Sequence, residues 1–193
     1  MSALPRAANW TAAAYLEYER AADTRHEFFD GQVYAMAGAS ERHNQIAAAL
    51  HYALYGQLVD RPCQVFQSDM RVQAGDSVFF YPDLVVVCAA ARYRDDQRDT
   101  LLNPSVIIEV LSPSTEDFDR GRKFWYYRAL PSLSDYLLVA QARVQVEHYT
   151  RQGADAWVLR DFTSLEDRLA LPSIGCALAL DEVYRRVDFE NAT

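Results

Sequence analysis

Val106-Ile-Ile-Glu-Val-Leu111 reads as a strand with one carboxylate set among residues that all favour burial. A second run, Leu84-Val-Val-Val-Cys88, is apolar without interruption, and Asp83 stands at its entrance just after Pro82. Continuous aliphatic runs without polar alternation mark strands covered on both faces. A charged side chain inside such a strand is rarely buried unless it is paired or holds a metal. Glu109 is therefore either a functional acid or an outward-facing residue on an edge strand. Asp83 is either its partner or a turn residue beside a proline.

Working outward, Thr11 can cap a helix running to about residue 22, with Tyr15, Leu16 and Tyr18 available for packing. Asp30-Gly31 between two β-prone runs signals a hairpin. Ser40 and Glu41 open a second helix to about residue 58, where Ile46, Leu50, Leu54 and Leu58 recur at helical spacing. Residues 63–67, 70–73 and 78–81 read as strands, with a turn at Gly75-Asp76, and the polar segment 89–103 reads as an exposed connection. Ser114 or Thr115 can cap a helix that carries Lys123, Phe124, Tyr126 and Tyr127. Residues 136–140 and 144–149 form a strand pair, 157–160 a further strand, 169–179 an apolar tail, and a short helix starts at Asp181. This order is mixed α/β (α+β), not a doubly wound alternation.

At 193 residues, half of them apolar, the chain is expected to form one domain with a real core. No apolar run approaches the ~20 residues of a membrane span. No secretory signal is visible at the N-terminus, so the expected compartment is the cytoplasm. Cys63, Cys88 and Cys176 are odd in number and in no CxxC arrangement, and are expected as buried reduced thiols. A net charge of −8 excludes a globally basic nucleic-acid-binding surface, though not a local one. Arg92, Arg94 and Arg98 cluster, as do Arg120, Arg122, Lys123 and Arg128, either as solvated faces or as phosphate contacts.

Lys123 is the only lysine, beside 18 arginines. Arginine is planar and permanently charged, whereas lysine is a compact ammonium whose pKa follows its surroundings, so a lone lysine suggests a task arginine performs poorly. Asp83 and Glu109 on neighbouring strands could converge on a divalent cation, since carboxylates, backbone carbonyls and water are the ligands Mg²⁺ prefers. His26, His51 and His148 have no partner at ligand spacing, and no GxSxG, P-loop or GxGxxG is present. Tyr126 and Tyr127 are able either to stack on a base or to pack in the core.

Pro82-Asp83, then Glu109 near the end of a strand, then lysine resembles the PD-(D/E)XK nuclease superfamily. More closely, the chain resembles the Uma-two family of bacterial restriction-endonuclease-like proteins over about 15–184. The resemblance is carried by His-Glu-Phe-Phe-Asp-Gly-Gln-Val-Tyr-Ala-Met (26–36), Ser-Glu-Arg-His-Asn (40–44), Tyr-Pro-Asp-Leu-Val-Val (81–86), Asn-Pro-Ser-Val-Ile-Ile-Glu-Val-Leu-Ser-Pro-Ser-Thr (103–115) and Asp-Arg-Gly-Arg-Lys (119–123). It implies a restriction-endonuclease-like core, a central mixed sheet flanked by helices, over residues 1–193 as a single domain.

The same resemblance implies an endonuclease that hydrolyses phosphodiester bonds in DNA, with RNA also allowed. Asp83 and Glu109 would hold Mg²⁺ or Mn²⁺, joined by the Val110 carbonyl. Lys123 would act as the catalytic cation and Glu27 as an accessory acid. His43, Ser112 and Tyr127 would meet substrate. In the parent motif the lysine lies two residues after the acid, where this chain has Leu111, so here it must reach back from the following helix. The alternative is a non-catalytic binding or assembly domain that keeps the fold. A homodimer is compatible with either reading.

Overall fold

The computed structural model describes residues 2–3 and 10–189. Strand β1 (Ser2–Ala3) is followed by helix α1 (Ala12–Ala21), whose first turn is capped by Thr11 Oγ1 accepting from the Ala14 amide. Strands β2 (His26–Phe29) and β3 (Gln32–Ala35) form the expected hairpin. Its turn needs two residues at positive φ, and Asp30 (51°) with Gly31 (70°) supplies them. Helix α2 (Glu41–Leu58) is capped by Ser40 and buries Ile46, Leu50, Leu54 and Leu58 along one stripe.

Then come β4 (Gln64–Gln67), β5 (Arg71–Gln73), β6 (Phe79–Phe80), β7 (Leu84–Val87), β8 (Thr100–Leu101) and β9 (Val106–Leu111). Helices α3 (Glu116–Phe118) and α4 (Phe124–Tyr127) are joined by a turn of π-helix over Asp119–Lys123. The chain closes with β10 (Asp135–Ala140), β11 (Val146–Gln152), β12 (Ala156–Phe162), β13 (Arg168–Leu171), β14 (Cys176–Ala179) and α5 (Leu180–Val183). No helix among the described residues is long and apolar enough to cross a membrane.

The main sheet has the order β12-β11-β10-β9-β7-β4 and is mixed, because β9 runs parallel to β10 and antiparallel to β7. A second sheet has the order β1-β3-β2-β6-β5-β8. Strands β7 and β9 are buried along their whole length, as the apolar run of β7 and the apolar residues around Glu109 in β9 require. Side chains alternate between the two faces of the main sheet. Leu84, Val86, Val106, Ile108 and Val110 pack against the buried stripe of α2 and against the β13–β14 hairpin. Val85, Val87, Ile107 and Leu111 face the other way, toward Phe29, Val72, Phe80 and Tyr127. Glu109 shares this second face, so it points at the seam between the main sheet, the second sheet and the helix that carries Lys123.

The structure corrects several sequence expectations. Segment 89–103 is not wholly an exposed connection: β8 pairs in parallel with β5, and Leu101 is fully buried. A two-residue strand inside a polar stretch carries no periodicity to read. Cys63 and Cys88 are joined in a disulfide, while Cys176 is free and buried. The two cysteines lie one residue beyond the Gln64↔Val87 pair, so antiparallel β4 and β7 bring them face to face across 25 residues of chain. Ligand spacing says nothing of single carboxylate partners, and His26 and His148 each have one. His26 Nδ1 lies 2.9 Å from Glu19 Oε2, and His148 Nε2 lies 2.7 Å from Asp135 Oδ1, all four residues being buried. Thr115 precedes α3 without a side-chain cap, and its hydroxyl pairs instead with that of Ser112 at 2.9 Å.

Candidate active site

Lys123 Nζ lies 3.0 Å from Glu27 Oε1, 3.1 Å from Glu109 Oε1 and 3.4 Å from Asp119 Oδ1. The four side chains come from three places: β2 of the second sheet, the middle of β9, and the π-turn that places Asp119 four residues before Lys123. All four are buried. Glu27 also accepts from the Tyr81 amide at 3.3 Å, and Glu109 Oε1 accepts from the Tyr127 hydroxyl at 3.4 Å. Glu109 is therefore not an edge residue facing outward, and Glu27 is not a surface acid beside its hairpin.

Three carboxylates around one ammonium leave an excess of negative charge in a dry place. Burial pushes the Glu109 carboxyl well above the ordinary carboxylate range; Lys123 opposes this, and Asp119, Asp83 and Glu27 add to it. Burial also raises Glu27, again against the pull of Lys123. For Lys123 itself burial disfavours the charged form, but Glu109, Glu27 and Asp119 outweigh it and hold the ammonium well above its ordinary pKa. The lysine is thus a lasting cation, able to stabilise negative charge but poorly suited to act as a base.

Asp83 lies one residue before β7 and one step beyond the Leu84↔Ile108 pair, which sets it opposite Glu109. Its Oδ2 accepts the Val110 amide at 2.7 Å and lies 3.1 Å from His43 Nε2, delivered by the first turn of α2. These groups line one cleft of about 1050 Å³, together with Ser112, Gln67 and Gln141. Five acids (Glu27, Glu41, Asp83, Glu109, Asp119) and two permanent cations (Arg42, Lys123) face it.

Of the residues singled out in the sequence, Glu27, His43, Asp83, Glu109, Val110, Ser112 and Lys123 all line this cleft. Tyr127 does not. It is fully buried behind Glu109, so its ring has no face to offer a base, and its hydroxyl holds the carboxylate from inside. Asp119 was missed as a site residue, although its spacing of four before Lys123 is the signal of a helical ion pair. The arginines of the two clusters stay mostly on the solvated surface, and several are engaged by neighbours within the chain. Arg120 pairs with Glu116 and Glu147, Arg122 with Asp30, and Arg94 with Gln73, while Arg98 stacks over Tyr93.

Among the described residues no group of three or more His, Cys, Asp or Glu is arranged to hold a metal. Mg²⁺ does not need such a cage, since one or two carboxylates with waters suffice. Asp83 and Glu109 provide two hard oxygen donors opposite each other on one wall, where the net charge is negative. That donor set fits Mg²⁺ or Mn²⁺ and is unsuited to a thiolate-loving ion.

The family model described as "Uma2: Putative restriction endonuclease" matches residues 12–181. Two proteins of Synechocystis sp. PCC 6803 are similar along most of the chain. Sll1609 is 40% identical over 152 residues, covering 78% of this chain and 86% of its own. Slr1290 is 37% identical over 176 residues, covering 91% of each. Among solved structures, a "putative nuclease belonging to DUF820" from Anabaena variabilis superposes with a TM-score of 0.76 at 17% identity, over 91% of this chain and 98% of that one. Its fold is the restriction-endonuclease-like arrangement seen here, a mixed central sheet flanked by helices. With a matching family model over most of its length and two relatives at such identity, the chain belongs to the Uma2 family.

Proposed function

We propose that the protein is a divalent-metal-dependent nuclease that hydrolyses phosphodiester bonds in DNA. The observation that carries this reading is the lone lysine, buried against Glu109 and Glu27 beside a carboxylate, Asp83, that faces Glu109 across two paired strands. Asp83 and Glu109 would hold Mg²⁺ or Mn²⁺, with the Val110 carbonyl as a further oxygen donor. When bound, such an ion supplies Lewis acidity at a phosphate oxygen and lowers the pKa of a water.

The rest of the work falls to side chains. Lys123 presents a lasting positive charge at the cleft wall, where it stabilises the charge developing on the phosphate and orients the attacking water. Glu27 holds the ammonium from the side opposite Glu109, and its raised pKa suits it to carry a proton during turnover. His43 and the Val110 amide together orient Asp83. Ser112 offers a hydroxyl to the phosphate from the loop after β9. The test is incubation with linear and supercoiled DNA in Mg²⁺ or Mn²⁺. Ion-dependent scission supports the reading, and DNA left intact under every ion would overturn it.

A further inference from the structure

The π-turn that carries Asp119 and Lys123 is an unusual way to build a helix. Such a turn inserts an extra residue into the i→i−4 ladder and is frequent where function demands a particular side-chain placement. Here it is tied down from outside. The Tyr136 hydroxyl donates to the backbone carbonyl of Asp119 at 2.9 Å. Tyr136 is fully buried on β10, in register with Ile107 of β9 and two residues before Leu138, which pairs with Glu109. Its ring stacks on Phe124 at 5.3 Å, with the planes 11° apart, and packs against Tyr127 at 5.7 Å. Burial, reinforced by Glu109 and Asp119, pushes the phenol well above its ordinary pKa, so it remains a donor. One hydroxyl thus links the turn that carries Lys123 to the sheet that carries Glu109.

We propose that Tyr136 is a positioning residue for the Lys123 ammonium, acting through the Asp119 carbonyl. Only its kinetic consequence rests on the nuclease reading; the placement of the ammonium is a separate matter. A buried carbonyl stripped of its donor is costly. The chain can recover the loss by rewinding the π-turn toward an α-helix, which swings Lys123 by about 100° around the helix axis, one residue of a 3.6-residue period. The ammonium then leaves Glu27 and Glu109.

Because Lys123 is the only lysine, ¹³C-labelled lysine gives one ε-methylene NMR signal that reports on it directly. The wild-type signal should show two inequivalent ε-protons displaced from free lysine. In Tyr136→Phe they should collapse toward the free-lysine position, and kcat for cleavage should fall about tenfold at unchanged KM, the signature of an interaction used in the transition state. Two controls separate this from general loosening. Tyr184→Phe removes another buried hydroxyl, which bonds the Ala140 and Gln145 carbonyls, and Phe124→Leu thins the ring stack while keeping the Tyr136 hydroxyl. Both should leave the lysine signal in place. A Tyr136→Phe signal identical to wild type, or a signal displaced equally by the controls, overturns the proposal whether or not the protein cleaves DNA. A signal that moves in Tyr136→Phe alone, in a protein that cleaves nothing, upholds the positioning role and removes the nuclease reading.

Discussion

Lys123 Nζ and Glu109 Oε1 stand 3.1 Å apart across the seam between a helix turn and the central strand β9. The parent nuclease motif places both groups on one strand, whereas here the ammonium reaches the acid from a separate element. Lys123→Arg tests what that contact requires. The guanidinium is larger and planar, and the enclosed space between Glu27, Glu109 and Asp119 admits a point charge rather than a fork. Cleavage should fall by about 10²-fold or more, the usual effect of losing a group that stabilises transition-state charge. Lys123→Met should cost about 3–5 kcal/mol of stability in urea unfolding, because it leaves buried carboxylates without their cation.

Glu109→Gln should alter the pH dependence of folding. The folded-state pKa of Glu109 is raised above its ordinary value of 4.5, so the folded chain binds the extra proton. The favourable contribution is therefore full below about pH 4.5 and declines as pH rises toward the folded-state pKa. Without divalent ions, wild-type stability should fall over that interval, and Glu109→Gln should remove part of the fall. Chemical denaturation from pH 4 to 8 measures it, and parallel curves for the two proteins would refute it.

Asp99 gives the opposite sign, away from the cleft. Burial works against its ionised form, but hydrogen bonds from Arg20 and the charge of buried Arg71 prevail and hold the carboxyl well below its ordinary range. Its contribution is present above the ordinary pKa near 3.8 and is lost as pH falls through the folded-state value. Asp99→Asn should cost about 3 kcal/mol near neutrality, since Arg71 keeps its charge in a buried place. The deficit should narrow steadily in acid.

Tyr127→Phe should leave KM for nucleic acid unchanged, because the ring never reaches the cleft. Its cost should appear as about 1 kcal/mol of stability, from the lost hydrogen bond to Glu109. A large rise in KM would return Tyr127 to the substrate surface.

Much of this architecture was legible from local chemistry. Thr11 and Ser40 cap the helices they were expected to cap, and Asp30-Gly31 turns the first hairpin. The unbroken apolar run at 84–88 and the run at 106–111 that holds Glu109 lie side by side in the central sheet. What stayed hidden depends on distant pairing. The Cys63–Cys88 disulfide needs the β4–β7 register, and the ion pairs of Arg120 and Arg122 need Glu147 of β11 and Asp30 of the β2–β3 turn brought close. Asp119 could have been read from its spacing to Lys123, but the π-turn that aims both could not, because the sequence Asp-Arg-Gly-Arg-Lys fits an ordinary helix equally well.

The most direct test is DNA cleavage in Mn²⁺ by wild type and by Asp83→Ala, with folding of both checked by circular dichroism. Asp83 sits at the partly exposed mouth of the cleft, so its loss should leave the fold intact while removing one of the two carboxylates proposed to hold the ion. The account predicts scission by wild type, dependent on the ion, and none by the folded variant. Equal cleavage by both proteins would contradict it.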